Sequence, residues 1–208
     1  MHTSVRFSQR AVSLFLLVPI VLSLAACGTT SGFQAAPAAE REYIDLTAYQ
    51  RLLVEDFSDD ATHRAKPEMQ PILQPKVMKA STMFPDQVAS VVAAEGGFAA
   101  VDRSGAGGEG TLVLRGAITQ YDEGSATLRW MVGFNAGNVN FDATLQLVDG
   151  GSQEVLGTWL VDKNSWALGG GIAATQTPEL FMAEAARKIG EELARSRKAG
   201  RIGKQQRE

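Results

Sequence analysis

The residues able to do chemistry in this 208-residue chain are few. There are two histidines, His2 and His63. His2 lies in what reads as a removable leader, so a triad in the mature chain must use His63, within "SDDATHRAKPEMQPILQPK". Asp59 and Asp60 stand near it and could begin a metal pair, but no third fixed ligand is evident. We read all three as solvated loop residues. The acidic pairs Glu55-Asp56 and Asp122-Glu123 are chain neighbours. Neighbours on a strand point to opposite faces, so neither pair converges on one substrate. "GAGGEG" (Gly105–Gly110) lacks the Lys-Ser/Thr of a phosphate loop and precedes a strand pattern, not a helix. "GGG" at Gly169–Gly171 lies nearer a helix start, where backbone amides can hold an anion. A permissive hinge is the simpler reading. No catalytic residue, cofactor or metal is expected. The remaining reactive group is the thiol of Cys27. It is the only cysteine, which excludes an intrachain disulfide and a cysteine-based zinc site.

The context of Cys27 gives that thiol a use. Arg6 and Arg10 form a positive start without acidic residues, and an apolar run from Ala11 to Leu24 follows. The run is short for a membrane span, which needs about 20 apolar residues, and has the length and flanks of a secretory signal. It ends in Leu24-Ala25-Ala26-Cys27, which resembles a bacterial lipobox. The expectation is a lipoprotein signal peptide over residues 1–26, cleavage before Cys27, and a diacylglycerol on its sulfur. Gly28 rather than Asp follows, which implies sorting to the outer membrane. The membrane is then one partner, through the lipid on Cys27.

Losing Arg6 and Arg10 with the leader takes the formal net charge from −3 to −5. That balance argues against nucleic-acid binding. The remaining residues suffice for one domain with a sizeable core. Residues 27–42 are small and polar without periodicity and read as a flexible tether. About 15 such residues span roughly 20 Å as a coil and at most about 50 Å extended. Residues 43–198 read as a single domain and 199–208 as a basic, frayed tail.

Within the domain, "YQRLLVEDF" (Tyr49–Phe57) is the first strand candidate. Pro67, Pro71 and Pro75 then recur every fourth residue, which predicts an extended connector over the surface. Phe84, Val88, Val91 and Val92 share one helix face, with Pro85 in the first turn and Gly96-Gly97 as the stop. A short strand is expected over Phe98–Val101. Three period-two strands follow. Leu112, Leu114 and Ile118 share a face. So do Val139, Phe141, Ala143, Leu145 and Leu147, and then Val155, Trp159 and Val161. "DGGSQ" joins the last two strands as a hairpin. A final helix starts at Thr177-Pro178-Glu179, carries Phe181, Ala185, Ile189 and Leu193 as a stripe, and ends in cations. The predicted class is α+β: a mostly antiparallel sheet of about five strands with two helices packed on one face, in the order β-α-β-β-β-β-α.

"RWMVGFNAGN" (Arg129–Asn138) combines large apolar residues with Gly133 and Gly137. One reading has Trp130, Val132 and Phe134 capping the core while the glycines make a bulge or tight turn. The other is an apolar loop presenting Trp130, Met131 and Phe134 to a partner or membrane.

Gly116, Gly124, Arg129, Gly133-Phe134, Ala136-Gly137 and Leu147-Val148-Asp149 form a pattern, with "LLVEDF" and Gly97-Phe98 upstream. On these features the chain resembles the domain-of-unknown-function 4410 family of bacterial lipoproteins. Asn135 departs from a glycine common at that position. In layout the chain is also similar to the anticodon-binding-like domains of envelope lipoproteins. The resemblance implies a place and a fold: a non-catalytic, periplasm-facing outer-membrane module that binds another envelope protein. The alternatives are a subunit of an oligomeric secretion or surface assembly, and then a hydrolase.

Overall fold

The computed structural model describes residues 28–36, 43–124, 137–165 and 176–203. Among these, in chain order, lie β1 (Gly28–Thr30), β2 (Gln34–Ala35), β3 (Tyr43–Asp45), β4 (Arg51–Val54), β5 (Ser58–Asp59), α1 (Asp60–Arg64), α2 (Gln70–Glu95), β6 (Ala100–Asp102), β7 (Thr111–Asp122), β8 (Asn140–Asp149), β9 (Val155–Asn164), α3 (Pro178–Lys198) and β10 (Arg201–Gly203).

The expected five-stranded, mostly antiparallel sheet is corrected to an eight-stranded mixed sheet. Its main path runs β1-β9-β8-β7-β4-β6, with β2 on β9 and β5 on β7. β4 pairs in parallel with both β6 and β7, and β5 is also parallel to β7. The helical crossover between β4 and β6 makes this possible, because parallel neighbours need a long connection. A separate two-stranded sheet joins β3 to β10 with Ile44 opposite Ile202, both buried. Within the stretch 27–42 lie β1 and β2, and within 199–208 lies β10.

The helices number three among the described residues, not two. Asp59 caps α1, its carboxylate accepting from the Thr62 N–H at 2.8 Å. The proline-rich stretch is helical rather than extended. Pro71 falls in the first turn of α2, where no N–H is required. Pro85 sits mid-helix, not at a start, and leaves the Ser81 carbonyl without its i+4 donor. The Phe57 N–H takes that carbonyl at 3.0 Å. A tertiary hydrogen bond thus replaces the helical one and ties α2 to the segment after β4. α3 follows its sequence signals: Thr177 Oγ1 accepts from the Leu180 N–H, and Arg195, Arg197 and Lys198 occupy the last turn.

α2 and α3 lie against one face of the sheet. There Phe84, Val88, Val92, Phe181, Ile189 and Leu193 meet Leu112, Leu114, Phe141, Leu145 and Trp159 in one core. A chain of edge-on rings crosses it, with Phe57–Phe84 centroids at 5.3 Å and Phe84–Phe141 at 5.4 Å. The predicted alternation in β8 holds, with Val139, Phe141, Ala143, Leu145 and Leu147 all buried. Val155 is the exception in β9. A register shift at Leu147/Val148 breaks the period and turns Val155 to the other face. There it joins a small second core of Leu53, Val113 and Val148. The glycine-rich loop after β6 lies over that core, since a Cβ on Gly107 would come within 3.1 Å of Val113 Cγ2.

Candidate functional site

Two arrangements stand out, and the sheet sets both on one level. Register pairs Gly28 with Lys163, Lys163 with Phe141, and Phe141 with Tyr121. Gly28 and Tyr121 therefore occupy a single row across four strands.

The first arrangement fixes the N-terminal segment. After β1, the Ser31 N–H donates to the Leu160 carbonyl at 2.8 Å, and the Leu160 N–H returns to Ser31 Oγ at 2.8 Å. Phe33 is 4% exposed and meets Trp159 edge-on at 4.8 Å. Gly157 makes the space: a Cβ there would stand 2.2 Å from Phe33 Cζ. The carboxyl group of Glu192 on α3, 8% exposed, takes both available donors. Its Oε1 accepts from the Phe33 N–H at 3.1 Å and its Oε2 from Trp159 Nε1–H at 2.9 Å. A buried carboxyl group is costly unless its oxygens are hydrogen-bonded, and here each is. Lys163, whose side chain is equally buried, pairs with Glu184 at 3.0 Å. β1 and β2 together cover the edge of β9, which removes an open template for strand addition.

The second arrangement is a groove of about 370 Å³ between the start of α2 and the end of β7. Met69, Ile72, Leu73 and Tyr121 give it apolar walls. Lys76 and Glu123 close one side through an ion pair at 2.6 Å. Met69 is 48% exposed and Ile72 55% exposed. The Tyr121 hydroxyl donates to Glu179 at 3.2 Å. Burial raises the pKa of this phenol, helped by the Glu179 and Glu123 carboxylates, so it stays protonated. Such walls suit an apolar or amphipathic surface. Their described lining holds no Ser, Cys or His.

Other acids have structural work. Asp59 caps α1, and Asp60 accepts from Ser58 Oγ and faces Arg64. His63 lies in the last turn of that short helix. No group of three His, Cys, Asp or Glu able to hold a metal occurs among the described residues. On the open face of the sheet Asp142 stands opposite Asp162. Burial pushes the Asp142 carboxyl up to about 6, Asp162 adds repulsion, and the Lys163 N–H opposes both.

Of the residues singled out in the sequence, Leu24, Ala25, Ala26, Cys27, Trp130, Met131, Gly133 and Phe134 lie outside the described residues. Gly137 has φ +69°, in the left-handed region. The sequence pattern puts Trp159 on the core face but does not link it to Glu192. One signal for Glu192 was present, since it follows Ile189 by three positions on the apolar stripe of α3. Phe33, a lone aromatic among small and polar residues, is the other such signal.

No described helix is long and apolar enough to cross a membrane. A comparison with curated proteins returns no match. Among solved structures, the PelC dodecamer from Paraburkholderia phytofirmans is similar at 12% identity, with 79% of this chain and 96% of that chain covered and a TM-score of 0.48. Protein XCC0632 from Xanthomonas campestris, of the DUF330 family, is similar at 18% identity, with 77% and 87% covered and a TM-score of 0.40. Residues 52–169 match the family described as "Domain of unknown function (DUF4410)". That match spans the sheet from β4 to the end of β9, and the chain belongs to the DUF4410 family.

Proposed function

We propose that the protein is a non-catalytic outer-membrane lipoprotein, held by a lipid on Cys27, whose periplasmic domain binds another envelope protein. The observation that carries this reading is the N-terminal run from Arg6 to Leu24-Ala25-Ala26-Cys27, with charge, apolar length and terminal thiol in the order that lipid modification uses. The fold supports a binding role. Its best-placed acids are spent on a cap, a turn and the Glu192 contacts. The open face of β8 and β9 presents Thr144, Gln146, Thr158 and a 46% exposed Leu160, a mixed surface suited to a protein partner.

Metabolic labelling with a fatty acid tests the anchor. Label should enter the parent and be absent from Cys27→Ser, whose unprocessed precursor should accumulate in the inner membrane. Label in the Ser variant sinks the lipoprotein reading. In-cell crosslinking from Leu160 tests the partner. A product at a multiple of the chain's own mass would instead support an oligomeric secretion or surface-assembly subunit. Turnover abolished by His63→Ala would return the hydrolase reading to contention.

A further inference from the structure

The Tyr121 end of the sheet collects several features that the fold itself does not use. β7 ends there, β8 and α3 begin there, β9 ends there and β1 starts there. The start of α2 lies against the same end, because Ile72 and Tyr121 line one groove. Three large apolar side chains are left to solvent in this region: Met69 at 48%, Ile72 at 55% and Leu180 at 52% exposure.

The chain before the described fold also arrives here. Gly28 pairs at once with Lys163, and three strand spacings, about 14 Å, separate it from the groove wall at Tyr121. Cys27 is bonded directly to Gly28, so its Cα is within about 3.8 Å of that row. A lipid on Cys27 would therefore not hang on a long tether. Ser31, Phe33 and Glu192 hold the following residues to the sheet. Acyl chains entering a bilayer from Cys27 would bring this end of the domain to the headgroup layer with them. The exposed side chains match that surface. They are apolar, and charges of both signs ring them, with Lys66, Lys76, Glu123 and Glu179 nearby. Such a border suits a mixed or zwitterionic interface, into which apolar side chains can settle.

We propose that the Tyr121 end of the sheet rests on the membrane surface, with Met69, Ile72 and Leu180 at the lipid interface and the Asp149 turn pointing away. The inference rests on the lipid anchor proposed above. It adds an orientation and a second, non-covalent membrane contact.

The test uses the full-length, processed protein in vesicles of phosphatidylethanolamine and phosphatidylglycerol that contain some acyl-chain-brominated lipid. Single cysteines are introduced as Leu180→Cys, Ile72→Cys and, at the far turn, Ser152→Cys. Each carries an environment-sensitive fluorophore, and fatty-acid labelling of Cys27 is read on the same samples. The expected result is bromine quenching and a blue-shifted emission at positions 180 and 72. Position 152 should show neither and should be quenched by aqueous iodide instead. Lipid on Cys27 with equal bromine quenching at all three positions overturns the orientation and leaves the lipoprotein reading standing. Positions 180 and 72 shielded from both bromine and iodide would mean a protein cover and would also overturn it. No lipid on Cys27 overturns both.

Discussion

The two ends of the central sheet are finished in different ways. At the hairpin end, a set of polar groups fixes the turn. Asp149 Oδ1 accepts from the Gly151 N–H at 2.9 Å, the Ser152 N–H at 2.6 Å and the Ser152 hydroxyl at 3.0 Å. Its Oδ2 takes the Tyr49 hydroxyl at 2.5 Å. Arg51 pairs with Asp102 beside it, and Arg197 Nε donates to the Tyr49 carbonyl at 2.6 Å. At the Tyr121 end, large apolar side chains stay in water beside a groove, with one ion pair at its rim. Folding alone favours the first kind of finish. The second leaves unspent apolar area, which is what a surface awaiting another phase or partner retains. The difference sets a hydrogen-bonded end against one that keeps exposed apolar area.

The strongest perturbation should lie in the core that both ends share. Leu145→Ala should cost about 2–5 kcal/mol in denaturant titration, and Thr144→Ala on the open face about 0.5 kcal/mol or less. Equal losses would mean that the two faces of β8 are wrongly assigned. Next comes the hold on the N-terminal segment. Glu192→Gln sets an amide N–H against one of two N–H donors and should cost about 1–3 kcal/mol. Limited proteolysis should then cut residues 28–36 before the rest of the domain loosens. Uniform digestion would mean that Glu192 merely fills space.

The contrast between the ends has its own tests. Asp149→Ala should cost about 1 kcal/mol, because water replaces part of what the carboxylate accepts. The sign with pH is definite. Hydrogen bonds from Ser152 and Tyr49 hold the Asp149 carboxyl below its usual range, so its contribution is present near neutrality and fades as pH falls below about 4. Asp142 runs the other way. Its folded-state pKa is raised to about 6 from 3.8, so the folded form binds the extra proton between those values. Its unfavourable effect therefore grows as pH rises from about 4 to about 6. After discounting for solvent screening, Asp142→Asn should add about 1 kcal/mol at pH 7 and almost nothing at pH 4. A gain that is the same at both pH values would remove the explanation by burial and Asp162. The smallest effect belongs to Leu180→Ser, within about 0.5 kcal/mol of the parent. A larger loss would mean that Leu180 supports the fold, and the Tyr121 end would no longer differ from its opposite.

The sequence carried the long regular elements well. β8 shows its buried face by alternation, whereas β7 is buried on both faces over 111–114, and α3 announces both its ends through Thr177, Pro178 and its terminal cations. What escaped was set by distant partners. β1, β2, β5 and β10 are two or three residues long, too short for any period, and exist because neighbouring strands offer a ladder. The helix through Pro75 and Pro85 could not be read from a proline rule, because the group that satisfies Ser81 is the Phe57 N–H. Val155 changed face through a single register shift. For the site, the sequence held the apolar residues of the groove. It could not show that Ile72 and Tyr121, far apart in the chain, line the same groove.

The pairing of β1 with β9 also sets an order of events in time. Phe33 and Glu192 are 159 positions apart, and Gly28–Thr30 pairs with residues near 162. A chain that emerges amino end first has no partner for this segment until its carboxy-terminal quarter has appeared. Contacts of such long separation close late, because closing a long loop carries an entropic cost that earlier contacts do not repay. Through most of its emergence the stretch 28–35 therefore lacks the strand partner that β9 later provides. Once β9 and α3 arrive, residues 28–30 become the edge strand beside β9 and the Phe33 N–H reaches Glu192.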